Sequence, residues 1–172
     1  MIVRRTAQLT LALMVAAASA SSCAHEKAAP GPREFALGVH RVQVIVPEGW
    51  EALDQGRQKR FRRGEFEIVL ENLGPPTPPH RDVDSLVDWG LAEVGHDERR
   101  EVKSRRPVTL DGREAFDIET WNRLDHTNLQ KIFLVIDEGD LLALHTVRMA
   151  LGDTLAAFDA IRDSLHFVSA KR

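Results

Sequence analysis

Hydrophobic positions along much of this chain recur every second residue, which is the spacing of a β-strand with one buried face. The clearest case is residues 40–46, where three valines alternate with Arg41, Gln43 and Ile45. Pro47 ends this run because proline cannot continue a hydrogen-bonded ladder. The pattern predicts a half-buried strand over residues 40–46, followed by a turn at residues 47–50.

Two further strands are predicted at residues 59–63 and 65–71, separated by a bulge or tight turn at Gly64. Downstream of them, residues 74–79 contain four prolines. Proline lacks the backbone N–H that a β-ladder requires, so this stretch cannot extend the sheet. We expect it to lead the chain across to a helix.

Helical spacing begins near residue 82. Asp82 or Asp84 suits the N-cap and the positive end of the helix dipole, and Gly95 suits the stop. The apolar positions at three- and four-residue spacing are Val83, Leu86, Val87, Gly90, Leu91 and Val94. This stripe predicts a helix with one buried side.

Period two returns at residue 102 and predicts four more strands, at residues 102–110, 113–121, 128–136 and 141–148. Asp111-Gly112 joins the first pair and is a strong hairpin signal, while residues 137–140 join the last pair. A final helix is predicted from about Asp153, with an apolar face formed by Leu155, Phe158, Ile161 and Leu165. Because strand–helix–strand crossovers are absent from this order, we predict an α+β fold, an antiparallel β-sheet with helices packed on its faces.

The first 22 residues have the layout of an export signal. Arg4 and Arg5 precede an uncharged stretch, residues 6–22, whose apolar run covers residues 9–18. About a dozen of these residues are apolar, fewer than the roughly 20 that a membrane-spanning helix needs. We therefore interpret residues 1–22 as a lipoprotein signal peptide.

The signal ends in Ala20-Ser21-Ser22-Cys23, which resembles the lipobox of bacterial lipoproteins, although that family usually has leucine where this chain has Ala20. Cys23 is the single cysteine of the chain, and lipidation explains an exported thiol without a disulfide partner. We expect an envelope protein held in the membrane by lipid on Cys23 and facing the periplasm. An alternative remains open, since cleavage after Ala18-Ser19-Ala20 would release a soluble periplasmic or secreted protein.

Residues 23–34 mix alanine, proline, glycine and charge without periodicity, which predicts a flexible tether. A single domain is expected over residues 35–168, with a tail at residues 169–172. Because the signal holds two arginines and no acid, the remaining 150 residues carry 21 basic and 26 acidic side chains. The resulting formal charge of −5, with histidine neutral, provides no overall attraction to nucleic acid, so we expect no such partner.

Three segments resemble the PsbP-like superfamily: residues 46–50 (VPEGW), residues 108–115 (VTLDGREA) and residues 158–167 (FDAIRDSLHF). The resemblance spans about residues 35–168. Within the superfamily, the chain resembles the DcrB-like branch of bacterial lipoproteins. The resemblance implies an α-β-α sandwich without enzyme activity, since members mostly bind, scaffold or assist assembly. It names no partner, because partners differ between branches of the superfamily.

The sequence contains no P-loop, G-x-S-x-G, H-E-x-x-H or dinucleotide-binding motif. Residues 80–84 (HRDVD) offer three cation ligands, but Arg81 opposes a cation and aspartates at a helix start are ordinary caps. We therefore expect no catalytic residue, no metal and no cofactor. The favoured function is a binding or assembly module, and the alternative is a small-ligand carrier or enzyme with a pocket between sheet and helix.

Ten of the 21 basic residues downstream of the signal lie in two clusters. The first basic cluster comprises Arg57, Lys59, Arg60, Arg62 and Arg63, and the second comprises Arg99, Arg100, Lys103, Arg105 and Arg106. They could bind anionic headgroups, lipopolysaccharide phosphates or an acidic envelope protein. We favour solvated strand faces and loops, partly paired with Glu65, Glu67, Glu98 and Glu101. Trp50, Trp89 and Trp121 are expected in the core or at its edge.

Overall fold

The structure, a computed structural model, describes residues 31–76, 82–94, 100–124, 130–147 and 152–168. Ten strands and two helices occur in these residues. In chain order they are β1 (Gly31–Leu37), β2 (His40–Val46), β3 (Glu51–Gln55), β4 (Gln58–Arg63), β5 (Phe66–Gly74), α1 (Val83–Val94), β6 (Arg100–Leu110), β7 (Arg113–Asn122), β8 (Gln130–Asp137), β9 (Asp140–Thr146), α2 (Asp153–Asp163) and β10 (His166–Phe167).

The strands form two antiparallel sheets, which confirms the predicted α+β fold. The larger sheet has seven strands in the order β3-β4-β5-β9-β8-β7-β6, and the smaller has the order β1-β2-β10. Strands β6 to β9 form the predicted four-strand meander. Strand β9 also pairs with β5, and this pairing joins the meander to β3, β4 and β5 in one continuous sheet.

The seven-stranded sheet is covered on both faces. One face packs against α2 and the smaller sheet through a core that includes the fully buried Phe61 and Phe158. The opposite face of β7, β8 and β9 packs against α1 through a second core that includes Ile118. Helix α1 approaches closely because Gly90 has no side chain: a Cβ atom there would lie 2.3 Å from Cδ2 of Leu141.

The smaller sheet corrects the predicted tether. Residues 31–34, which we assigned to the tether, belong to β1, where Gly31 pairs with Val46. The sequence hides this strand because a glycine, a proline and two charged residues precede its first large apolar side chain, Phe35. Pro32 is tolerated because β1 lies at the edge of its sheet. The domain therefore includes Gly31, while residues 23–30 lie outside the described part of the chain.

Two short strands were also absent from the sequence prediction. Strand β3 has only two apolar residues, Ala52 and Leu53, and both are half-buried. Strand β10 is two residues long and pairs with β2, more than 120 positions earlier in the chain. In α2 the predicted inward position of Leu155 is wrong, since Leu155 is half-buried and the neighbouring Thr154 is buried instead.

Asp111 and Gly112 form the predicted two-residue turn between β6 and β7, with φ angles of 49° and 79°. Positive φ at both positions is typical of a type I′ turn, and a β-branched side chain is strained there. Gly112→Val is therefore expected to lower the free energy of unfolding by about 1–3 kcal/mol. The space around Gly112 is open, so strain rather than a clash causes this loss.

Urea unfolding measures this effect. Thr109→Val is the matched control, because Thr109 is an exposed position of β6 that already carries a β-branched residue. The control is expected to keep the wild-type urea midpoint. If the Gly112→Val protein also keeps that midpoint, the turn does not have the geometry described here.

Candidate functional sites

Buried and half-buried polar side chains connect several turns at one end of the seven-stranded sheet. We name this group the His40 cluster, and its members are His40, Asn72, Arg113, Asp137 and Asp140. The first residue of β2 meets the two aspartates that flank the β8–β9 turn, Asp137 and Asp140. Because all these strands begin or end at one end of the fold, side chains up to 100 positions apart in sequence hydrogen-bond each other.

His40 is the centre of the cluster and is 5% exposed. Its Nδ1 lies 2.8 Å from Oδ2 of Asp137, and its Nε2 lies 2.9 Å from Oδ2 of Asp140. The geometry therefore places each ring nitrogen of His40 within hydrogen-bond distance of one carboxylate.

Arg113 and Asn72 complete the hydrogen bonding of the two carboxylates. Nε of Arg113 donates to Oδ1 of Asp137 at 2.7 Å, and Nδ2 of Asn72 donates to Oδ2 of Asp140 at 2.9 Å. The guanidinium of Arg113 also lies 3.8 Å from the ring centre of Phe167, which is cation–π distance. The cluster thus connects the C-terminal strand β10 to three turns of the sheets.

The electrostatics of the His40 cluster are those of a structural ion-pair network. Burial raises the pKa of Asp140, but hydrogen bonds from Asn72 and His40 outweigh burial and hold that pKa below its usual range. The carboxylates of Asp137 and Asp140 both contact the His40 ring and do not converge on a common space for a cation. Accordingly, no three His, Cys, Asp or Glu side chains among the described residues are arranged to hold a metal ion.

A second buried pair lies between β5 and β9. Nε2 of His145 lies 2.8 Å from Oε1 of Glu71, and Oε2 of Glu71 accepts a hydrogen bond from Gln58 at 2.6 Å. Burial raises the pKa of Glu71, but the hydrogen bonds from His145 and Gln58 and the charge of Arg60 bring it below its usual range. Within the described residues, no Ser, Thr or Cys side chain hydrogen-bonds the ring of His145, so this pair has no nucleophile to activate there.

These two lowered pKa values predict a loss of stability in acid. A carboxyl group whose pKa is lower in the folded state contributes stability above its unfolded pKa, about 4.3 for Glu71 and about 3.9 for Asp140. That contribution is lost as the pH falls through the folded pKa. We therefore expect the free energy of unfolding to decrease as the pH falls below about 4.

Glu71→Gln tests the contribution of Glu71, because glutamine has a similar shape and cannot ionise. The difference in unfolding free energy between wild type and variant should be largest near neutral pH and should shrink below about pH 4. Urea unfolding at several pH values measures it. A difference that stays constant over that range would contradict the assignment of a lowered pKa to Glu71.

The first basic cluster is less available to a partner than its sequence suggests. Lys59 is 2% exposed, and its Nζ donates to the carboxylate of Asp54 and, at 2.7 Å, to the carbonyl of Gly56. The expectation of a solvated cation is therefore wrong for Lys59. Its inward direction follows from strand periodicity, since Lys59 lies two positions before the buried Phe61.

Most other members of the two basic clusters form ion pairs, as the favoured interpretation predicted. The pairs are Arg60–Glu67, Arg62–Glu67, Arg63–Asp153, Lys103–Glu119, Arg105–Asp84, Arg105–Asp88 and Arg106–Asp117. Of the four predicted glutamates, Glu67 is confirmed as a partner. Among the described residues, no ion pair joins Glu65 or Glu101 to a basic cluster, and Glu101 instead contacts the indole of Trp121. Glu98 and Arg99 lie outside the described residues. Because β4 and β6 lie toward opposite edges of the sheet, the two clusters do not form one basic surface.

The tryptophans occupy the positions expected of core residues. Trp50 is 3% exposed, and its backbone N–H donates to the carbonyl of Pro47, which confirms the predicted turn. Trp89 is half-buried and packs against the second core, and Trp121 is half-buried with its indole N–H 3.3 Å from Glu101.

Of the described candidate cation ligands at the start of α1, Asp82 caps the helix and Asp84 forms an ion pair with Arg105. Oδ1 of Asp82 accepts a hydrogen bond from the backbone N–H of Ser85 at 2.7 Å, which confirms the capping interpretation. His80 and the lipidation candidate Cys23 lie outside the described residues. Neither of the helices in the described part of the chain is long and apolar enough to span a bilayer.

No protein-family model and no curated protein sequence matches this chain. Among solved structures, it is similar to the solution structure of the cyanobacterial PsbP protein (CyanoP) from Synechocystis sp. PCC 6803, with a TM-score of 0.57. The similarity covers 87% of this chain and 99% of that chain, at 16% sequence identity. The fold is PsbP-like. At this level of identity, the comparison shows the fold alone.

The three segments that resemble the superfamily meet in the PsbP-like domain. Residues 46–50 leave β2 and contribute Trp50 to the core that also contains Phe158 of α2. Residues 108–115 form the β6–β7 hairpin, where Oδ2 of Asp111 accepts a hydrogen bond from the N–H of Phe167 at 2.8 Å. Their sequence resemblance therefore corresponds to neighbouring parts of one core.

Two surface cavities of the PsbP-like domain flank the C-terminal half of α2. One, of about 500 Å³, lies between this helix and the β1–β2 hairpin and includes Ile45 and Ser164. The other, of about 300 Å³, lies between the helix and β6–β7 and includes Asp117 and Arg162. Their polar groups also bond to the protein, because Ser164 Oγ accepts from the N–H of Ile45 and Arg162 lies 3.3 Å from Asp117.

Proposed function

We propose that this chain is an exported envelope lipoprotein of the DcrB-like branch, anchored by lipid on Cys23, and that its PsbP-like domain is a non-catalytic binding or assembly module. The observation that carries the proposal is the position of the single cysteine, directly after the uncharged residues 6–22 that follow two arginines. In this proposal the domain faces the periplasm, and its partner is another envelope protein or an anionic component.

The short distance between Cys23 and the domain supports a function at the membrane surface. Seven residues separate Cys23 from Gly31, the first residue of β1. Even fully extended, this segment spans at most about 30 Å. An anchored domain would therefore meet partners that are themselves in or near the same membrane.

The polar chemistry of the domain supports a non-catalytic module. His40 and His145, the two buried histidines among the described residues, are both hydrogen-bonded to carboxylates. Ion pairs engage most described members of the two basic clusters. Such pairing stabilises a surface of fixed shape and charge pattern, which suits specific protein recognition.

One observation favours the alternative of a small-ligand carrier or an enzyme. The cavity beside Ser164, of about 500 Å³, is within the size range of small-molecule sites, about 300–1,000 Å³. It is lined by apolar Ile45 and Pro32 together with polar Gln43 and Ser164. A small molecule bound in this cavity would make the domain a carrier and not an assembly module.

Native mass spectrometry of the protein, extracted gently from its own membranes, distinguishes the two functions. The module predicts a complex whose added mass is that of a second protein. The carrier predicts an adduct with the mass of a small molecule. Recovery of the small-molecule adduct without a protein partner would contradict the proposed function, and so would a protein that repeatedly carries neither.

A further inference from the structure

The domain has two distinct ends, defined by the strand register. Gly31 pairs with Val46 at the end of β2, and the short turn at residues 47–50 leads from there to the start of β3. At this same end β9 finishes at Thr146 and β7 finishes at Asn122. We name it the Gly31 end. The His40 cluster lies at the opposite end, where β8 finishes and β9 begins.

Exposed apolar side chains are concentrated at the Gly31 end. The described residues include six large hydrophobic side chains that are well exposed. Four of them are at or near this end, Ile45, Val102, Leu124 and Val147, while Val39 and Val108 lie toward the opposite end. Leu124 is 73% exposed and lies two residues beyond the end of β7. Solvent exposure of such side chains is unfavourable, so their concentration at one end suggests that another surface covers them.

The chain that leads to Cys23 joins the domain at this same end. With at most about 30 Å between Cys23 and Gly31, the Gly31 end reaches the membrane surface with slack in the connection. In the inverted orientation the connection would first run back along the β1–β2 hairpin, whose seven-residue strands are about 23 Å long. Little of the connection between Cys23 and Gly31 would then be left to reach the membrane, and holding that segment fully extended would cost conformational entropy.

Net charge does not attract this end to a bilayer, although it carries the exposed Arg123 beside Leu124. Two cations near it are already paired, Arg63 with Asp153 and Lys131 with Glu119. The formal charge of −5 downstream of the signal would repel anionic lipid on average. Contact between this end and the bilayer would therefore come from apolar side chains inserted at the depth of the lipid headgroups, as in interfacial protein segments.

We infer that the Gly31 end lies against the headgroup region of the membrane that holds the lipid on Cys23, with Leu124 and Val147 in the interface and the His40 cluster directed away from the membrane. The inference rests on the proposed anchoring at Cys23 and adds the surface that contacts the bilayer. The opposite end, which carries the ion pairs of the His40 cluster, is then the end presented to other envelope components.

Depth-dependent fluorescence quenching tests this orientation in the full-length lipidated protein. Leu124→Cys and Val39→Cys place a thiol-reactive fluorophore at opposite ends, and Val39 is the matched control because it is an exposed apolar residue, 82% accessible, next to His40. A lipid-modified Cys23 leaves the introduced cysteine as the single free thiol. The proteins are reconstituted into phosphatidylcholine vesicles that contain headgroup-labelled nitroxide lipid.

We expect quenching of the Leu124 probe to exceed that of the Val39 probe about twofold or more, because interfacial groups lie within about 5–10 Å of the headgroup boundary. A third variant, Val147→Cys, should behave like Leu124→Cys. Equal quenching at both ends, or stronger quenching at Val39, would overturn the inferred orientation while leaving the anchoring intact. Incorporation of two fluorophores per chain would instead show a free Cys23 thiol, and the proposed anchoring itself would fail.

Discussion

Cys23→Ser is expected to abolish stable attachment of the mature protein to the membrane. Serine has no thiol, so the diacylglyceryl transfer that a lipobox cysteine undergoes cannot occur. Each methylene that enters a bilayer contributes about 0.8 kcal/mol, and two or more acyl chains together give effectively stable attachment. The protein surface cannot replace that contribution, because the formal charge of the chain downstream of the signal is −5.

Detergent phase partitioning of wild type and Cys23→Ser measures this effect. Wild type should partition into the detergent phase. The variant should either be cleaved after Ala20 and partition into the aqueous phase, or stay in the inner membrane as an uncleaved precursor that is distinguished by its larger mass. Ala24→Ser is the matched control, since it makes a similar change one residue beyond the cysteine. Identical partitioning of mature wild type and mature Cys23→Ser would contradict lipid anchoring.

Asp137→Ala is expected to cause the largest loss of stability among the changes considered, about 3 kcal/mol or more. The substitution removes a carboxylate that accepts hydrogen bonds from His40 at 2.8 Å and from Arg113 at 2.7 Å. Both donors lose a partner, and the side chain of His40 is only 3% exposed. Removing one member of a buried ion-pair network leaves the other charges poorly solvated, which is why the effect is large.

Urea unfolding of Asp137→Ala, His40→Ala and the double variant measures the coupling between these two residues. If they form one network, the two single losses should be non-additive by about 1 kcal/mol or more. Glu114→Ala is the control, because Glu114 is an exposed carboxylate in β7 beside Arg113. It should change stability by less than about 0.5 kcal/mol. A comparable effect of Glu114→Ala and Asp137→Ala would show that the His40 cluster has no special role.

Local periodicity predicted most of the fold correctly. The alternating pattern identified β2 and the strands of the meander, and the Asp111-Gly112 pair located a turn whose φ angles are both positive. Strands β1 and β10 were not predicted. Strand β1 begins with a glycine, a proline and two charged residues, which do not show an alternating apolar pattern, and β10 is only two residues long. Such strands depend on a partner elsewhere in the chain, and periodicity within one segment carries no information about that partner.

In the His40 cluster, too, the local turn was predictable from the sequence but the long-range contact was not. Residues 137–140 were predicted to form a turn, and they do, but their aspartates also bind a histidine that lies 97 and 100 positions earlier. Nothing local to either segment indicates that pairing. Lys59 differs, because its spacing of two from Phe61 in one strand places it on the buried face, although a solvated cation was expected there from the sequence.

Intact-mass measurement of wild-type protein purified separately from the membrane and soluble fractions tests whether Cys23 carries lipid. We expect, from the membrane fraction, a mature chain that begins at Cys23 and carries the additional mass of a diacylglyceryl group, with or without a third acyl chain on its amino group. A mature chain that begins at Ser21, has no acyl mass and is recovered from the soluble fraction would contradict lipid anchoring, and would show that cleavage follows Ala18-Ser19-Ala20 instead.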